Sequence, residues 1–76
     1  MDLRSVFATN LRRLRNERGM SQDTLALEAG ISRSYLSQLE KGSFYASLMI
    51  IGKLAVVLKA DPAEFLHMPK RGRTVR

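Results

Sequence analysis

Residues 21–42 read SQDTLALEAGISRSYLSQLEKG, and two helix starts and two helix stops fall inside them. Ser21 can cap a helix by accepting a backbone N–H bond, and Asp23 in the first turn suits the helix dipole, although Thr24 stands where a full capping box carries Glu or Gln. Gly30 ends that helix, because glycine takes the left-handed conformation that helix ends favour, and Ile31 supplies an apolar anchor for the turn. Ser32 is a second cap, and Gly42 closes the helix that follows it. The spacing predicts helices over residues 22–29 and 33–41 joined by a tight turn, which is the helix-turn-helix pattern.

On the N-terminal side, residues 4–18 carry Phe7, Leu11 and Leu14 at spacings of four and three, with Val6 beside them and Arg12, Arg13, Asn16 and Glu17 elsewhere on the wheel. That is an amphipathic helix, stopped by Gly19. On the C-terminal side, residues 43–46 form a loop and Ser47 opens a fourth helix reaching Leu58 or Lys59. Asp61 with Pro62 at the first helical position starts a short fifth helix to about His67, and Pro69 ends the ordered domain. No segment alternates with the period of a strand. The expected fold is all-α, a compact five-helix bundle over residues 1–69, followed by a basic, flexible tail at residues 70–76.

A chain of 76 residues has room for a single core. Hydrophobic residues at 45% and charged residues at 26% are an ordinary globular balance, which excludes a disordered polypeptide. The absence of cysteine excludes a disulfide framework and a thiolate metal site, and a cytoplasmic location is expected. The start MDLRSVFATN lacks the apolar run of a signal peptide, and the uncharged stretch 42–52 is far shorter than a membrane span of about 20 residues, so no membrane association is expected. The net charge of +6 favours a polyanionic partner. Lys70, Arg71, Arg73 and Arg76 carry most of it, however, and residues 1–69 hold only +2. The tail KRGRTVR can follow phosphates or enter a minor groove, or it can be a solvated end.

At about 100° per residue, Leu36 and Leu39 of the third helix share one side with Tyr35 on its edge, while Arg33, Ser34, Ser37, Gln38 and Lys41 spread over the other. A helix fits the major groove of B-DNA, where Arg bonds guanine, Gln bonds adenine and Ser serves either kind of edge. Polarity by itself fits a solvated face equally well. Catalysis finds no support, since His67 is the single histidine and Asp61 with Glu64 reads as a helix start. No enzyme activity, cofactor or metal is expected.

The segments LRRLRNERGMSQ in the first helix, AGIS in the turn, LEKG at the end of the third helix and LAVVLKADPAEFL near the C-terminus resemble the phage Cro and repressor family, the XRE-like group of bacterial transcription regulators. The resemblance extends from about Phe7 to Leu66 and implies a lambda-repressor-like domain that binds double-stranded DNA as a homodimer and regulates transcription. It implies base reading by Arg33, Ser34, Ser37 and Gln38, with Arg33 first, and backbone contacts by Gln22, Ser32 and Lys41. For Lys41, compensation of the helix dipole is the structural alternative. It also implies a salt bridge between Arg15 and Glu40.

Two places depart from that family. Its loop after Gly42 commonly holds Arg or Asn followed by Pro, whereas this chain has Ser43, Phe44, Tyr45 and Ala46. Tyr45 can still donate one hydrogen bond to a phosphate, or pack with Phe44 over the domain's rim. In the fourth helix, Ile51, Leu54, Ala55 and Leu58 suffice for a core stripe, yet Met49 and Val56 point the opposite way, where relatives are usually polar. A homodimer surface of Met49, Gly52, Val56 and Phe65 or Met68 is expected, with a tightly wrapped monomer core as the alternative. A second kind of function is an antitoxin or adaptor that holds a protein partner through Met49, Val56 and Leu27.

Overall fold

In a computed structural model that describes residues 2–68, each helix starts on a side-chain cap. α1 (Leu3–Glu17) begins at Asp2, α2 (Gln22–Ala29) at Ser21, α3 (Arg33–Glu40) at Ser32 and α4 (Leu48–Leu58) at Ser47. These oxygens accept backbone N–H bonds of 2.9 to 3.1 Å, each satisfying one of the donors that a helix start leaves without a partner. The expected fifth α-helix is corrected: Pro62–Leu66, capped by Asp61, is a 3-10 helix. Only five residues long, it closes i to i+3 bonds such as Glu64 N–H to the Asp61 carbonyl at 2.8 Å. The described residues contain four α-helices and no strand, and no helix among them is long and apolar enough to cross a membrane. The proposed boundary at Pro69 and the basic segment 70–76 lie outside the described residues.

The turn between α2 and α3 depends on Gly30, whose φ of 73° lets the Ile31 N–H reach back to the Ala26 carbonyl at 3.0 Å. Lys59 performs the same turn at the end of α4 with a φ of 54°, a conformation disfavoured by its Cβ. The Ala60 N–H closes the motif on the Ala55 carbonyl at 3.0 Å.

α1 packs against α3 and the 3-10 helix, while α2 packs against α3 and α4. Leu11, Leu25, Leu36, Leu39, Leu54, Leu58 and Phe65 are completely enclosed where these elements meet. Phe65 therefore does not belong to an outer dimer surface, as its sequence position suggested. The 3-10 turn drives its ring inward to stack on Phe7, with centroids 5.6 Å apart. Asn10, buried on the apolar side of α1, fastens this segment: its Nδ2 donates to the carbonyls of Phe65 at 3.0 Å and His67 at 2.8 Å. A lone amide among Phe7, Leu11 and Leu14 was the sequence signal for that clip.

Replacing Lys59 with Gly removes the Cβ penalty of the left-handed turn, partly offset by the greater freedom of glycine in the unfolded chain. The expected gain is about 0.5–1 kcal/mol, which in a domain of this size raises Tm by roughly 2–8 °C, measurable by thermal unfolding followed by circular dichroism.

Candidate nucleic-acid interface

α3 is held by its apolar side and presents its polar one. Leu36 and Leu39 are fully buried, whereas Arg33, Ser34 and Lys41 are exposed and Ser37 and Gln38 are half-buried at the margin. Ser32 spends its oxygen lone pair on the Tyr35 N–H but keeps its own O–H free to donate. These residues share one short helix and its ends, so they can meet one stretch of duplex together.

The orientation of α3 is set by Glu40, a carboxylate only 4% exposed. Arg15 grips it from α1 with two bonds, Nε to Oε2 at 2.6 Å and Nη2 to Oε1 at 3.0 Å. Parallel bonds of this kind fix angle as well as distance. The third arm of Arg15 donates to the Met20 carbonyl at 2.8 Å, which ties in the turn before α2. Arg12 donates to the Glu40 backbone carbonyl, placing a positive charge at the C-terminal end of α3.

Gln22 extends the network to the surface. Its Nε2 donates to Glu40 Oε1 at 3.0 Å, and its Oε1 accepts from Arg33 Nε at 3.0 Å. Only this amide orientation works, since the reverse would set oxygen against carboxylate and N–H against guanidinium. Arg33 also donates from Nη1 to Asp23 Oδ1 at 2.9 Å. Gln22, expected on the DNA backbone, is thus engaged at both ends of its amide and retains one N–H. Asp23 was read only as a favourable charge in the first turn of α2; its pairing with Arg33 across the turn had no local sequence signal.

The loop after Gly42 is organised by its aromatics. Phe44 stacks on Tyr35 with centroids 6.1 Å apart, and Arg4 lies over the Tyr45 ring, 5.0 Å from its centroid. Arg4 also holds Asp2 at 3.0 Å. The side-chain hydrogen bond from Arg4 pulls the Asp2 carboxyl below its ordinary value, and the same bond raises the Arg4 guanidinium above its own. Tyr45 remains 70% exposed, with its hydroxyl available to a phosphate.

On α4, Met49 and Val56 are exposed at 66% and 77%, and Gly52 between them has open space where a Cβ would stand. Leu48, 86% exposed and on the same helical face, was not singled out in the sequence. Met68 and Leu27 are exposed as well. Lys53 borders this face as its charged residue.

A polar helix mounted across a tight, capped turn on a second short helix is the arrangement of the helix-turn-helix DNA-binding proteins. The chain belongs to the HTH_3 helix-turn-helix family, whose pattern matches residues 11–65. It is similar to the restriction-modification controller protein C.AhdI from Aeromonas hydrophila, with 42% identity and a TM-score of 0.78 over 82% of this chain and 94% of that one. The hypothetical transcription factor NHTF from Neisseria matches at 36% identity with a TM-score of 0.84, covering 95% of this chain and 82% of its own. Control protein C.BamHI from Bacillus amyloliquefaciens is 33% identical over 93% of this chain and 89% of its own length.

Removal of the Glu40 side chain leaves the half-buried Arg15 with its charge uncompensated. Glu40→Ala is expected to cost about 3–5 kcal/mol, to lower Tm accordingly and to weaken binding to duplex DNA. Thermal unfolding and fluorescence anisotropy check the two effects; an unchanged Tm would remove the pair from this account.

Proposed function

We propose that the protein is a sequence-specific transcription regulator that binds double-stranded DNA as a homodimer, with α3 of each subunit in the major groove. The observation that carries this reading is the polar side of α3, braced by Glu40 and Gln22 and presenting Arg33, Ser34, Ser37 and Gln38 together. Arg33 reads a guanine through the N–H donors left over from its bonds to Gln22 and Asp23, and Gln38 and the serines serve neighbouring base edges. Lys41, Ser32, Tyr45 and the remaining N–H of Gln22 meet phosphates, which position the domain without specifying sequence. The controller and regulator names of its relatives extend to this chain as control of transcription in the cytoplasm, with residues 1–69 as the DNA-binding domain and no catalytic role.

Dimerisation follows from the apolar surface of α4. Leu48, Met49, Gly52 and Val56 lie within about 100° of arc, and an uncovered apolar helix face of this kind marks an interaction surface. A two-fold contact through it, with Met68 as a candidate at its edge, gives two recognition helices the geometry to enter successive major grooves about one turn apart. Exposure of Leu27 at 81% supports a second reading, in which Leu27, Met49 and Val56 hold a protein partner as an antitoxin or adaptor does.

Selection of bound duplexes from a random pool tests the main reading. Wild-type protein should enrich a pseudo-palindrome, and Arg33→Ala should lose the guanine preference at one position of each half-site, a discrimination of about 1–3 kcal/mol. Identical selections from the two proteins would exclude Arg33 as the reader. Sedimentation equilibrium tests the assembly: wild type should be dimeric at micromolar concentration and Val56→Glu monomeric with its helical content intact. A monomeric wild type together with capture of no duplex would favour the protein-partner reading.

A further inference from the structure

The guanidinium of Arg33, the foremost base reader, is already held inside the folded protein. Gln22 takes its Nε–H and Asp23 one Nη1–H, so a side chain on the outer side of α3 is drawn back toward the first turn of α2. Asp23 does little for the fold in this position. Its side chain is 75% exposed and that of Arg33 58%, an exposed pair of the kind that holds weakly, and the cap of α2 is already supplied by Ser21. A carboxylate beside a DNA-reading helix also opposes the phosphates, so its presence weakens binding to any duplex.

We infer that Asp23 is a positioning residue for base reading, which tethers Arg33 so that it bonds a base edge and not the nearest phosphate. The inference rests on the reading of α3 as the DNA-reading helix. A guanidinium has five N–H donors, and Arg33 uses two of them on Gln22 and Asp23. A bidentate contact to guanine needs two more, which the tethered group still has. On a matching duplex the guanine therefore adds to the existing bonds. On a mismatched duplex, an untethered arginine would swing to the backbone and recover affinity that carries no sequence information. The tether makes that recovery less favourable, and the Asp23 charge repels the phosphates meanwhile. Asp23 thus widens the gap between right and wrong sites at the expense of affinity for both, which is specificity through disfavouring the competitor.

The test is a double-mutant cycle on wild type, Asp23→Asn, Arg33→Ala and the double variant. Each is titrated by fluorescence anisotropy, across a salt series, against a duplex selected by wild type and a shuffled duplex of the same composition. Asp23→Asn should tighten the shuffled duplex more than the selected one, lower the ratio of the two affinities by roughly three- to tenfold, and steepen the salt dependence on the shuffled duplex by about one phosphate contact. With Arg33 replaced by Ala, Asp23→Asn should shift both duplexes equally and leave the ratio unchanged. Equal effects of Asp23→Asn with and without Arg33, in a wild type that does prefer its selected duplex, would overturn the tether alone. A wild type that prefers no duplex would overturn the DNA-reading role on which it stands.

Discussion

The orientation of α3 in the candidate interface depends first on the carboxylate of Glu40. It sits at the end of α3, almost completely removed from water, and such a charge persists only where donors surround it. Arg15 from α1 and Gln22 from α2 supply them, so three helices converge on one side chain. Buried ion pairs of this kind add little net stability over a well-packed apolar substitute. Their effect is directional. Two parallel bonds from a planar guanidinium define the angle between α1 and α3, and the amide of Gln22 carries that definition outward to Arg33. The hydrophobic contacts of Leu36 and Leu39 hold α3 in place, but leucines in a core do not specify its rotation with the same precision.

The helix ends and most of the core were legible in the sequence because their causes are local. Serine before an amphipathic run and glycine after it satisfy orphan backbone groups whatever the rest of the chain does, and Ser21, Gly30, Ser32 and Ser47 act accordingly. The last element was less legible. Asp61 and Pro62 mark a start for an α-helix and a 3-10 helix alike, and the contacts that hold the segment, to Asn10 and Phe7, come from more than fifty residues away. The same distance hid the burial of Phe65. At the interface, the polar side of α3 was visible by periodicity, whereas the engagement of Arg33 by Gln22 and Asp23 exists only after the turn brings the starts of α2 and α3 together.

The loop after Gly42 and the outer side of α4 each have a physical organisation of their own. The segment after Gly42 is held by stacking of Phe44 on Tyr35 and by Arg4 over Tyr45, so packing positions the tyrosine hydroxyl. On α4, the neighbouring Leu48, Met49 and Val56 are exposed and apolar around a half-buried Gly52, while the opposite side of the helix is used by the core. An exposed apolar helix face of this kind marks an interaction surface.

Methylation interference with dimethyl sulfate, on a duplex selected by the wild-type protein, asks whether α3 reads base edges in the major groove. One reaction marks guanine N7 in the major groove and adenine N3 in the minor groove, so both surfaces are probed at once. Major-groove reading by α3 requires that methylation of guanine N7 at two positions about one helical turn apart abolishes binding while adenine N3 methylation between them leaves it intact. Interference confined to adenine N3, or binding indifferent to guanine methylation throughout the site, would contradict it.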